Sequence, residues 1–169
     1  MEIPVESVKL VREQSGAGIM ACRKALIETL VDAEKALELL GQQGRLIAQK
    51  KASRVATAGV VDTYLHTGGR IGAMVELNCE TDFVARTDEF RELAHHLAMQ
   101  IAAMSPLCVS TEEASEVPEE EMASACLMLQ TDIRDPGKTI GDIIDETIAR
   151  VGENIQVRRF ARFELGEQE

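Results

Sequence analysis

Val5, Val8 and Val11 recur at three-residue spacing after Pro4, a residue tolerated in the first helical turn, and predict a first short helix. SGAG at 15–18 breaks that pattern, with Gly16 suited to the left-handed position after a helix end and Gly18 leaving the next helix start open. Cys22, Leu26 and Leu30 at i, i+4 and i+8 predict one face of a second helix ending near Val31. Asp32 can cap a third, in which Ala33, Ala36, Leu37 and Leu40 form the apolar stripe before Gly41 and Gly44. Residues 1–44 therefore read as a small three-helix interaction module.

Beyond it the period changes to two. GVVDTYLHTGGRIGAMVELNC holds two strand-like runs, at 60–66 and 70–79, joined by TGG, whose glycines allow a tight hairpin. Thr87, with Asp88 and Glu89, starts a helix whose face is Phe90, Leu93, Ala94, Leu97, Ile101 and Met104, ending before Pro106. PLCVSTEEASEVPEEE reads as a loop, after which Met122, Cys126, Leu129 and Ile133 have helical spacing until DPG at 135–137. Thr139 begins a last helix, with Ile140, Ile143, Ile144, Ile148 and Val151 on one side and Gly152 past its end. The closing NIQVRRFARFEL alternates as a strand, placing Ile155, Val157, Arg159, Ala161, Phe163 and Leu165 on one face and Phe160 on the other. Large apolar groups on both faces call for two covers, the helices on one side and a second subunit on the other. The expected class is α+β, with a basic linker at 45–58 and an α+β body at 59–169.

Charge narrows the functional classes. Residues 1–54 carry a net +2 and residues 55–169 a net −13, an acidic body unsuited to general phosphate-backbone binding. The one basic stretch, GRLIAQKKASR at 44–54, lacks aromatics and reads as a solvated connector. Cys22, Cys79, Cys108 and Cys126 show no metal-binding or redox spacing and read as reduced, mostly buried thiols. The N-terminal MEIPVESVKLVREQ has no apolar leader core and the chain no long apolar run, so neither export nor membrane insertion is expected.

Enzymatic chemistry finds little support. Glu76, Glu80 and Asp82 are close in sequence, but a metal would need more ligands, and His66, His95 and His96 lack ligand spacing. The histidines read as surface or boundary groups. Neither a phosphate-binding glycine loop nor a nucleophile elbow is present. No cofactor, metal or catalytic residue is expected.

Two stretches read instead as recognition surface or core. GAGIMACRK places Ile19 and Met20 at a helix start, where spacing favours one of them packing inside. ETDFVAR ends the second strand on acids and a large aromatic, Phe83, which is either tucked under the next helix, the reading that residue statistics favour, or held out as a wedge.

VREQSGAGIMACRKAL (11–26), VELNCETDFVAR (75–86) and VGENIQVRRFARFELG (151–166) closely resemble, in order, three stretches of bacterial-type translation elongation factor Ts, the guanine-nucleotide exchange factor of elongation factor Tu. The resemblance spans essentially the whole chain. It implies a ubiquitin-associated-like N-terminal domain placed against the partner's nucleotide-binding domain, with Arg12, Ile19 and Met20 on the contact surface. It further implies that Thr81, Asp82, Phe83 and Val84 push into that domain near its Mg²⁺ and disturb the metal's coordination. No direct nucleic-acid or membrane contact is implied, and the setting would be cytoplasmic. Longer relatives carry two α+β subdomains and an inserted coiled coil; this chain has room for one copy, which implies a homodimer. A ubiquitin-associated-type adaptor without exchange activity is the alternative, but it gives no reason for T-D-F-V to follow a strand.

Overall fold

The computed structural model describes residues 3–167 and divides into two compact units, residues 3–53 with 144–153, and residues 54–143 with 154–167. Among the described residues seven α-helices and one three-stranded antiparallel sheet make the chain α+β.

In the first unit α1 (Val5–Ser15) ends at Gly16, whose φ of 65° lets its N–H reach Arg12 O at 2.8 Å. A Cβ there would also lie 2.8 Å from the Arg150 guanidinium. α2 (Ile19–Glu28) and α3 (Ala33–Lys51) complete a core of Val11, Cys22, Ala25, Leu26, Ala36 and Leu40. Asp32 caps α3 as expected, accepting from Lys35 N at 3.1 Å. Two details differ from the pattern. α2 stops at Glu28, and Leu30 and Val31 take φ values of 54° and 67° to reverse the chain without a glycine, which turns Leu30 out to solvent. α3 continues through Gly41 and Gly44 to Lys51, so residues 45–51 of the expected linker are helical. Gly44 is a buried position inside the helix rather than a stop, and a Cβ there would make only ordinary contact with Ala149 Cβ, at 3.9 Å.

The second unit is built on β1 (Ala58–Leu65), β2 (Ile71–Cys79) and β3 (Ile155–Glu164) in the order β1-β2-β3. Gly68 and Gly69 supply the positive φ of the hairpin. Gly59 lies so close to β2 that a Cβ would meet Leu77 O, which no other residue could tolerate. The inner sheet face carries Ala73, Val75, Leu77, Cys79 and Ile155, and α5 (Asp88–Met104) packs on all three strands through a buried face including Phe90, Leu93, Ala94, Leu97 and Ile101. Met104, expected on that face, is about half exposed.

The register shifts between Glu76 and Leu77, where Leu77 pairs with Val157 and Glu76 with Arg159, so Arg158 is a bulge. Strict alternation therefore fails within β3. Ile155 and Val157 share the inner side, and Phe160 and Arg162 take it after the bulge, leaving Arg159, Ala161, Phe163 and Leu165 outward.

The expected helix over 122–133 is also replaced. Only α6 (Met122–Ala125) is α-helical, flanked by 3₁₀ turns at Glu119–Glu121 and Leu127–Leu129. Cys126 is extended, at φ −93° and ψ 119°, and bridges Cys108. The buried Gln130 amide donates to Met104 O and Ser124 O at 3.3 and 2.6 Å, and Gln100 binds Gln130 Oε1 and Ile133 N. These long-range polar bonds satisfy the segment's buried amides and backbone in place of a helical ladder. α7 (Ile140–Val151) opens with a capping box, Asp142 N bonding Thr139 Oγ1 at 3.1 Å and Thr139 N bonding Asp142 Oδ2 at 3.0 Å.

Candidate functional site: an exposed aromatic on a doubly capped turn

The turn between β2 and α5 is fixed at both ends. Cys79 closes β2, its buried thiol donating to Thr81 O at 3.2 Å. Glu80 turns back and accepts the Asn154 backbone N–H at 2.7 Å, with Arg54 Nη1 3.6 Å from the same oxygen. Thr81 then caps α4 (Asp82–Ala85), its hydroxyl accepting from Val84 N at 3.4 Å.

Thr87 ends this turn and starts the next element. Its hydroxyl donates to Val84 O at 2.7 Å and accepts from Phe90 N at 3.3 Å, at the start of α5. Val84 and Ala85 are buried, and α4 packs over β1 and β2. Two threonine caps and two buried side chains thus pin a helix of four residues that could not persist by itself.

On that turn Thr81, Asp82 and Phe83 face solvent, Phe83 with 81 % of its surface exposed. Asp82, Phe83, Arg86 and Thr87 line an open depression of about 510 Å³. Keeping a phenylalanine in water forgoes roughly 1.5–3 kcal/mol of burial free energy. The reading that residue statistics favoured, Phe83 tucked under the next helix, therefore fails. Val84 points the other way, into the core, and anchors its neighbours.

In the first unit Arg12, Ile19 and Met20 are all exposed, so the expectation that Ile19 or Met20 packs inside fails. The first turn of α2 begins outside the core to which Cys22, Ala25 and Leu26 contribute.

The carboxylates considered for metal chemistry do not converge. Glu76 accepts from Arg159 Nε at 2.8 Å on the outer sheet face, Glu80 serves Asn154, and Asp82 stands on α4. Among the described residues no three His, Cys, Asp or Glu side chains are placed to hold an ion. Of the histidines, His96 corrects the surface reading: it is buried on α5 and its Nε2 is hydrogen-bonded to Asp132 Oδ1. Burial pushes its imidazole below the usual range, with the Asp132 charge opposing and Arg134 adding to the fall. Sequence reasoning missed Arg86 as a lining residue and Glu80 as a structural one; the partner of Glu80 lies 74 positions away, beyond any local signal.

Among the described residues no helix is long and apolar enough to cross a membrane. Comparison with known proteins gives a consistent answer. Residues 25–125 match the family model for elongation factor TS. The chain is 45% identical to elongation factor Ts of Thermoanaerobacter sp. (strain X514), with 98% of this chain and 96% of the relative aligned. It is 46% identical to elongation factor Ts of Thermotoga sp. (strain RQ2), over 99% and 98% of the two chains. Elongation factor Ts of Carboxydothermus hydrogenoformans is 46% identical over 98% of this chain and 90% of its own length.

Proposed function

This chain belongs to the elongation factor Ts family of translation elongation factors, and on that premise we propose that it is the guanine-nucleotide exchange factor of elongation factor Tu. It binds the GDP-bound and nucleotide-free partner and speeds GDP release so that GTP can enter. The observation that carries this reading is Phe83, held in solvent on a turn whose caps and buried Val84 prevent its collapse into the core.

The mechanism is linkage. A protein that binds the nucleotide-free GTPase more tightly than its Mg²⁺-GDP form must weaken GDP by the same factor by which GDP weakens it. Each 1.4 kcal/mol of such coupling is about tenfold. Phe83 acts as an apolar wedge against partner side chains, and Asp82 brings a carboxylate to the partner's Mg²⁺, which tolerates little departure from octahedral geometry. Thr81 and Val84 hold the wedge, the first as cap and the second as anchor. This chain performs no bond-making step and needs no cofactor. Arg12, Ile19 and Met20 supply a second contact, from a ubiquitin-associated-like domain.

The protein works in the cytoplasm as a homodimer. Support for the dimer comes from the outer sheet face, where Val61, Leu65, Met74, Phe163 and Leu165 are exposed. Stopped-flow release of a fluorescent GDP from elongation factor Tu tests the reading. Saturating protein is expected to accelerate release many-fold, and an unchanged rate would refute exchange activity.

A further inference from the structure

Cys108 and Cys126 are both buried, and their Sγ atoms lie 3.0 Å apart. Their backbones hold them there. Cys108 N donates to Ala125 O at 3.2 Å, Leu127 N to Cys108 O at 2.9 Å and Met128 N to Val109 O at 3.1 Å, an isolated parallel bridge with the two cysteines as partners. Ala114, Val117 and Met122 close a small apolar cluster around them. A metal has little to hold it, because no third His, Cys, Asp or Glu side chain among the described residues joins the pair. Cys22 and Cys79 instead point their thiols at carbonyls, those of Ala17 and Thr81.

We propose that Cys108 and Cys126 are an oxidisable thiol pair that closes to an intrachain disulfide, a staple across the loop that follows α5. The oxidant is a small-molecule disulfide such as oxidised glutathione. Cys108, at the edge of the cluster, loses its proton and attacks one sulfur of that disulfide, expelling one thiolate, which takes up a proton. Cys126 then loses its proton and attacks the Cys108 sulfur, expelling the second small thiol. Two protein thiols become one disulfide, and one disulfide becomes two small thiols.

The surroundings set the pace of this reaction. Burial, together with the hydrogen bond to Cys126, pushes the Cys108 thiol up to about 11, so little thiolate exists at neutral pH and oxidation is slow. Reduction is slow for the related reason that such a thiolate is a poor leaving group. The bond joins residues 18 positions apart across a segment held mainly by short 3₁₀ turns and the four residues of α6, and it restricts the unfolded chain more than the folded one. The pair follows the C-terminal end of α5, whose 17 residues span about 25 Å from the turn that carries Phe83, so the staple acts on stability and not on exchange.

The experiment exposes the purified full chain to oxidised glutathione, then denatures it in an alkylating agent and maps its peptides without reduction. The expected result is a single-chain mass with two of the four cysteines blocked from alkylation, one cross-linked peptide pair containing Cys108 and Cys126, and a thermal midpoint raised by about 5 °C. Dithiothreitol should reverse all three. In Cys108→Ser and Cys126→Ser the midpoint should no longer respond to oxidant. Four alkylatable thiols after exposure, an unresolved glutathione adduct, a bond to Cys22 or Cys79 or between chains, or an unchanged midpoint of the wild type would each overturn the proposal.

Discussion

Phe83 and Val84 are consecutive residues of one helical turn, yet the first is 81 % exposed and the second 5 % exposed. Stability and function are thereby divided between neighbours. Phe83→Ala should change folding stability by less than about 0.5 kcal/mol, because the ring is mostly in water already. It should lower the acceleration of GDP release by tenfold or more. Val84→Ala removes buried methyls and should cost about 1–3 kcal/mol in urea unfolding. A Phe83→Ala protein that exchanges normally would remove the wedge from the mechanism.

Glu80 sits two residues before Asp82 and has a different duty. Its Oε1 receives the backbone N–H of Asn154, a buried residue at the start of β3, at 2.7 Å. In Glu80→Ala that N–H loses this acceptor, a loss worth roughly 1–3 kcal/mol. The denaturation midpoint in urea should fall, while exchange per folded molecule stays close to wild type. Loss of exchange with unchanged stability would instead place Glu80 at the partner.

Local chemistry made the helix starts legible. Asp32, Thr87 and Thr139 each bond a backbone N–H within three residues, so the signal and its effect occupy one short window. The hairpin was legible for the same reason. Residues 122–133 were not, because their conformation is set by Cys108 and Gln100, each about twenty to thirty positions away, and the periodicity of Met122, Cys126, Leu129 and Ile133 arose without a helix to carry it. The Arg158 bulge was similarly invisible, since alternation read along β3 alone cannot register what β2 does at Glu76. At the site itself, pattern found the end of the strand and the helix cap. The exposure of Phe83 depended on Val84 and Ala85 occupying the core first, and only the family resemblance pointed to it before the structure did.

His96 gives the protein a pH dependence whose sign follows from its burial. Burial holds the folded-state imidazole below its ordinary 6.5, so the unfolded chain binds the proton more readily. The stabilisation is complete above about 6.5 and is lost as pH falls through that value toward the folded one, with Asp132 softening the loss. Thermal midpoints between pH 8 and pH 5 should decline on the acid side. His96→Gln keeps an amide donor but does not titrate, and its profile should be flatter. Equal slopes in the two proteins would assign the acid sensitivity to other groups.

The outer sheet face carries the last prediction. Leu65, Gly72 and Phe163 lie in register across the three strands, as do Thr63, Met74 and Ala161 in the adjacent row, and Leu165 continues beyond β3. Leu65, Met74, Phe163 and Leu165 are at least half exposed, an apolar surface on the side of the sheet opposite α5. Monomers rarely leave contiguous apolar patches of this kind uncovered. Each large side chain buried there would contribute roughly 1.5–3 kcal/mol, and a two-fold dimer buries every one of them twice. Light scattering at micromolar concentration should therefore give twice the chain mass of 18.5 kDa. Phe163→Asp puts a carboxylate into both halves of the interface and should weaken association at least tenfold while leaving the circular dichroism unchanged. A wild-type mass near 18.5 kDa would leave this face uncovered and refute the dimer.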